Sequence, residues 1–272
     1  MTTLESPLQQ EWTAWHRDRE EQLSTPHGWL SLTALHWLDG TARAFDGIPG
    51  RWRATGDGGV ELTADGDPDN GPALDGTPVT GTVRLEPLDG QPGVLVEIGE
   101  RRVEVIRRTD DYALRVRDPQ AITRTAFTGA PAFDVDGRWV VEGRFEAYPE
   151  PRQLTVGAVV DGVQHFPTAV GVVRFPLGGA EHELVAFPGK AGGLSLHFRD
   201  ATSGSSTYGG GRSVALPDPD ADGRVTIDFN RTVNLPCAFT AHATCPLPPA
   251  ENRLPVAVEA GESTPPRPDL HP

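Results

Sequence analysis

Long apolar runs are missing from this chain. No stretch approaches the roughly 18 consecutive apolar residues that cross a bilayer. The start, MTTLESPLQQEW, lacks a basic region followed by an apolar core, so neither a spanning helix nor a secretory leader is expected and the expected compartment is the cytoplasm. Positive charge is also short: 24 basic residues face 38 acidic ones, a formal net charge of -14 that opposes binding to phosphate backbones or anionic lipid. Neither nucleic acid nor membrane is therefore an expected partner. Only Lys190 among the basic residues is lysine, a bias that fits GC-rich coding.

The familiar catalytic signatures are absent as well. The serines of SGSS are not framed as G-x-S-x-G, and His182-Glu183 is not followed by a second histidine at the metalloprotease spacing. The glycine-rich segment 202–213 lacks the lysine of a phosphate-binding loop. A Ser-His-Asp arrangement can still assemble from distant segments, because triads are defined by geometry.

What the chain does have is length and turn formers. Its 272 residues suffice for one large or two small domains, and 37% hydrophobic residues with six Trp and ten Phe suffice for a core. Thirty-one Gly and 26 Pro interrupt helix interiors, so a mainly β chain is expected, a β-sandwich or partly closed barrel with an N-terminal helical segment. Ser6, Pro7 and Gln9 read as a capping box, and Leu8, Trp12, Trp15 and Leu23 follow at helical spacing, which predicts a helix over 7–22. Trp29, Leu32, Leu35 and His36 keep that spacing up to Gly40, so the run is read as helix, with a turn and strand as the alternative. Residues 1–40 are thus expected as a helical segment and 41–262 as a β-rich domain of short alternating strands, with 263–272 as a mobile Pro-rich tail. Residues 147–152 read either as a join between two lobes or as a Pro-rich loop inside one.

Several constellations carry chemistry. Cys237, His242 and Cys245 give C-x4-H-x2-C, an incomplete zinc set, a short disulfide loop or two buried thiols; no metal or cofactor is expected. Asp218, Asp220, Asp222 and Gly223 match half a calcium loop, but Phe229 stands at the closing position, which favours a polar hairpin turn; the stretch 65–71 is read in the same way. Arg115 and Arg117 share one strand face while Leu114 and Val116 share the other, a clamp for an anion or an outward face paired with Asp110, Asp111 and Asp118.

The working hypothesis is a pocket for a small polar or anionic molecule, where the Tyr208 loop meets the end of the strand at Asp228. Asp228 or His36 serves as base, Tyr208 as acid and Arg212 as charge clamp, with Asn230, Asp200, Arg115 and Arg117 as further binding groups. On this view Tyr208→Phe and Arg212→Ala leave stability nearly unchanged. The same residues without chemistry make a binding module. A third reading makes the C-terminal block structural, with its polar side chains bonded to backbone.

The run from Asp228 to Glu262, DFNRTVNLPCAFTAHATCPLPPAENRLPVAVEAGE, resembles a domain family of unknown function, number 1684, as do GWLSLTALHWL (28–38), YALRVRDP (112–119) and FRDATSGSSTYGGGRSV (198–214). Leu235 stands where that family usually has proline after Asn234, and His242 where tyrosine is common, so the resemblance does not mark His242 as essential. It implies a family and no reaction.

Overall fold

A computed structural model describes residues 6–64 and 71–266 and divides the chain into two compact units, one of residues 22–127 and one that joins most of the N-terminal helix to residues 128–266. Helix α1 (Pro7–Leu23) starts as its sequence predicts, with the Ser6 hydroxyl accepting the Gln9 amide at 3.2 Å. Among the described residues no helix is long and apolar enough to cross a membrane.

The 22–127 unit contains β1 (Leu32–Leu38), β2 (Arg43–Phe45), β3 (Ile48–Thr55), β4 (Gly59–Thr63), β5 (Ala73–Leu74), β6 (Thr77–Pro78), β7 (Thr82–Leu85), β8 (Val94–Ile98), β9 (Arg101–Arg108) and β10 (Asp111–Arg117), followed by a helical turn, α2 (Ile122–Thr125). The strands form two sheets, ordered β1-β10-β9-β8-β5-β6 and β2-β3-β4-β7. Trp52, Val60 and Leu62 of the smaller sheet and Val96, Val103, Val105, Leu114 and Val116 of the larger share one core, which makes the unit sandwich-like. Here the helical reading of residues 29–40 is corrected. Only Trp29–Ser31 turn helically, and Leu32–Leu38 pair antiparallel with β10. In so short an apolar run both periods fit, and the open edge of β10 selects the strand.

The other unit contains β11 (Val140–Gln153), β12 (Val156–Gly157), β13 (Gln164–His165), β14 (Thr168–Leu177), β15 (Ala180–Pro188), β16 (Leu194–Phe198), β17 (Arg212–Leu216), β18 (Arg224–Asp228) and β19 (Val233–Asn234). Seven of these form an antiparallel sheet ordered β18-β11-β14-β15-β16-β17-β19, and it curls until β17 lies against β18. Phe175, Leu184, Leu196, Phe198, Val214, Ile227 and Phe229 fill the core that the curl encloses, so this unit has the character of a partly closed barrel. The Phe229 ring stands 5.7 Å from that of Phe175 and 5.8 Å from that of Phe198. Residues 148–151 lie within β11, whose pairing with β14 is interrupted between Ala147 and Arg152 because Pro149 and Pro151 offer no amide donor. The tail is held where it is described: the Ser263 amide donates to the Pro131 carbonyl and the Thr264 amide to that of Ser206.

Candidate functional site

The residues expected to build the site fall into both units. His36, Arg115 and Arg117 belong to the 22–127 unit, and Asp200, Tyr208, Arg212, Asp228 and Asn230 to the other.

Arg212 opens β17 and is 1% exposed. Its Nη1 donates to the carbonyls of Ala260 (2.6 Å) and Glu262 (3.0 Å), and its Nη2 to that of Val258 (2.8 Å) and to Asp200 Oδ2 (3.3 Å). Burial pulls the guanidinium down to about 10, although Asp200 and Glu262 act the other way. Asp200 Oδ2 also accepts the Val258 amide, and its Oδ1 takes the hydroxyls of Thr202 and Ser203. The pair therefore fastens the strap 258–262 to the barrel. Gly261 bends that strap at φ +71°, where a Cβ would run into the Thr232 carbonyl. Glu262, also 1% exposed, accepts from Arg19 Nε at 3.1 Å and from the Asn234 amide at 2.6 Å.

Asn230 and Asp228 have the same kind of employment. Asn230 Nδ2 donates to the Asp136 carbonyl and to Asp228 Oδ1, its Oδ1 accepts the Asp136 amide, and its own carbonyl accepts Trp12 Nε1 at 2.7 Å. Asp228 caps the following turn through the Asn230 amide and lies 3.3 Å from Arg231 Nε. The Tyr208 ring lies over Gly210, where a Cβ would overlap it. These bonds correct the expectation that Arg212 is a loop residue dispensable for stability, since it is a buried strand residue that satisfies three carbonyls. They tie Asp228, Asn230 and Glu262 to main-chain groups.

The Cys237 amide donates to Cys245 Sγ at 3.3 Å, and both cysteines are buried with no disulfide between them. Among the described residues no group of three His, Cys, Asp or Glu is arranged to hold a metal ion. Asp220 Oδ1 accepts the amides of Asp222 and Arg224, a hairpin turn leading into β18 with Gly223 at φ +79°. Residues 65–70 of the second acidic stretch lie outside the described residues. Protein isolated from a reducing compartment should have both thiols labelled by alkylation in denaturant without reductant. A two-dalton mass deficit with neither labelled would establish a disulfide instead.

In the 22–127 unit, Arg115 and Arg117 do share one face of β10, opposite Leu114 and Val116 in the core, but Arg115 is buried there. Among the described residues both are joined to Glu104 of β9, and no ion pair to the expected Asp110, Asp111 or Asp118 is recorded for Arg117. Arg117 Nη2 reaches Glu104 Oε2 at 2.6 Å and Arg115 Nη1 at 3.6 Å, and both guanidinium groups stack on Trp29, 5.3 and 5.5 Å from its ring centre. Arg117 Nη1 also donates to the carbonyls of His27 and Gly28. His36 packs on Phe45 at 4.7 Å, and burial holds its imidazole below the ordinary histidine range against the opposing pull of Asp46.

Beside this cluster opens a cleft of about 520 Å³, lined by Pro26, His27, Glu97, Glu100, Arg102 and Gln120 with Gly99 and Pro119. Glu97, Arg102 and Arg117 stand directly opposite one another on β8, β9 and β10, so their side chains share one face. Glu97 Oε2 accepts the Gly76 amide and Arg117 is held by Glu104, whereas the Arg102 side chain has no hydrogen bond or ion pair among the described residues. His27 Nε2 bonds the Glu100 carbonyl at 2.8 Å, which fixes one wall. Arg102 is not among the residues that the sequence marks for the site. Alternation with Val103 and Val105 marks it as outward, but the strands flanking it are not visible in the sequence.

The profile of the family described as "Protein of unknown function (DUF1684)" matches residues 125–263, just over half of the chain and nearly the whole of the C-terminal unit. The resembling segments 28–38 and 112–119 precede the matched stretch. Among solved structures, the solution NMR structure of the uncharacterized protein from gene locus rrnAC0354 of Haloarcula marismortui is similar at 34% identity, over 52% of this chain and 79% of that one, with a TM-score of 0.43. No curated protein matches. By the extent of the matched profile, the chain belongs to the DUF1684 family of proteins of unknown function.

Proposed function

We propose that this chain is a binding protein for a small polar molecule with an anionic group, and that the recognition site is the Arg102 cleft of the 22–127 unit. One observation carries the reading: a guanidinium lines a cleft of ligand size without a partner among the described residues, opposite a second arginine already engaged by Glu104. Like charges facing each other across strands are unfavourable, and an anion on Arg102 relieves that repulsion while forming charge-assisted hydrogen bonds. Pro26 and Pro119 in the lining have fixed φ and add rigidity, so little ordering is needed on binding.

The acid-base reading that uses Asp228, Tyr208 and His36 has less support, because Asp228 is bonded to Asn230 and Arg231 and His36 belongs to the other unit. A thermal-shift screen of small carboxylates and phosphates followed by calorimetry tests the cleft. Arg102→Ala should weaken the best hit at least about tenfold, the scale of one charge-assisted hydrogen bond. Its effect on stability should stay within about 0.5 kcal/mol, since the side chain has no hydrogen bond or ion pair among the described residues. Equal affinity in the variant would refute the assignment.

A further inference from the structure

The charges around Arg102 narrow the ligand further, and this step rests on the cleft being the site. We infer that the ligand is a zwitterion of amino-acid size, with its carboxylate on Arg102 and its ammonium between Glu97 and Glu100. Three facts converge. One guanidinium and two carboxylates line the same cleft. Glu97 and Arg102 are cross-strand partners, and Glu100 lies in the turn between β8 and β9, two residues before Arg102, so the opposite charges are close neighbours. Yet no ion pair within 4.0 Å joins Arg102 to either carboxylate among the described residues, which leaves room for a group that bridges them.

A ligand that is only anionic meets two carboxylates in the cleft and a chain of net charge -14, and is repelled at long range. A ligand that is only cationic leaves Arg102 unpaired. A zwitterion is neutral at long range and satisfies both signs at contact, the two charges of an α-amino acid being separated by about one bridging carbon. Glu97 already faces the cleft in an oriented state, because its Oε2 accepts the Gly76 amide at 2.9 Å, and its other oxygen, which has no partner among the described residues, remains for an ammonium.

Calorimetry with each of the twenty L-amino acids and with its N-acetyl derivative tests the inference, since acetylation keeps the carboxylate and removes the ammonium. The best amino acid should bind wild type at least about tenfold more tightly than its N-acetyl form. Arg102→Gln should lose both. The double variant Glu97→Gln, Glu100→Gln should lose the preference and bind the two forms alike; the amide oxygen at position 97 still accepts from Gly76. If the double variant does not fold, Glu100→Gln alone should reduce the preference. Equal binding of the two forms to wild type, or binding of acetate or phosphate with none of any amino acid, overturns the zwitterion while the anion reading survives. Absence of binding by amino acids, acetate and phosphate alike overturns both.

Discussion

Arg212→Ala should lower the stability of the C-terminal unit by about 3–5 kcal/mol, the cost of breaking a buried ion pair and leaving its partner uncompensated. The loss is larger than that of a charge alone. Three carbonyls of the strap, Val258, Ala260 and Glu262, lose their donor together, and Asp200 remains with side-chain exposure of 0%. Arg212→Lys should recover little, because an ammonium cannot span three carbonyls and a carboxylate as a planar fork does. Hydrogen exchange reads the effect locally: the Val258 amide, which donates to Asp200 Oδ2, and the Glu262 amide, which donates to the Thr232 carbonyl, should lose protection first. Protection of both amides at the wild-type level, with denaturant midpoints unchanged, would show that the strap is held by something other than this pair.

The roles of Arg212 and Arg102 were legible to different degrees, and the difference lies in what strand alternation encodes. In Arg212-Ser213-Val214-Ala215-Leu216 the apolar Val214 and Leu216 point inward, so position 212 points inward too. The preceding glycines favour a loop at this position, and they mask its burial. For Arg115 and Arg117 alternation gave the shared face correctly, but their partner Glu104 is fixed by the register of β9 against β10, which the sequence does not state. The N-terminal helix was legible because its cap and its apolar spacing agree. Residues 32–38 were not, because a seven-residue apolar run satisfies two periods and is decided by its neighbour. The Asn and Asp residues of the C-terminal run stood out by composition, yet the same residue types serve ligands and backbone alike. Only the bonds of Asn230, Asn234 and Asn252 to main-chain groups separate the two uses.

Glu104→Gln should have an effect of similar size in the 22–127 unit. Glu104 is 9% exposed and lies between Arg115 and Arg117, whose side chains are 3% and 11% exposed. Burial by itself raises its pKa, but Arg117 and Arg115, with hydrogen bonds from Arg117 and the Gly93 amide, outweigh burial and hold the carboxyl below the ordinary glutamate value. Glutamine keeps one acceptor for Arg117 and removes the charge, so two nearly buried guanidinium groups stacked on Trp29 lose the carboxylate that lies between them. The expected loss is about 3 kcal/mol, the lower end for a broken buried pair, or roughly 12 °C or more in Tm for a unit of this size. The pH dependence has a definite sign. A carboxyl whose folded pKa is depressed contributes stability that is fully present above its unfolded pKa of about 4.3 and is lost as pH falls through the lower folded value. The wild-type advantage over Glu104→Gln should therefore be constant from neutral pH to about 5 and shrink below about 4.3. Urea titrations followed by Trp29 and Trp52 fluorescence across pH 3 to 7 measure this, and parallel curves with no convergence at acid pH would show that the Glu104 charge is not what holds the two arginines.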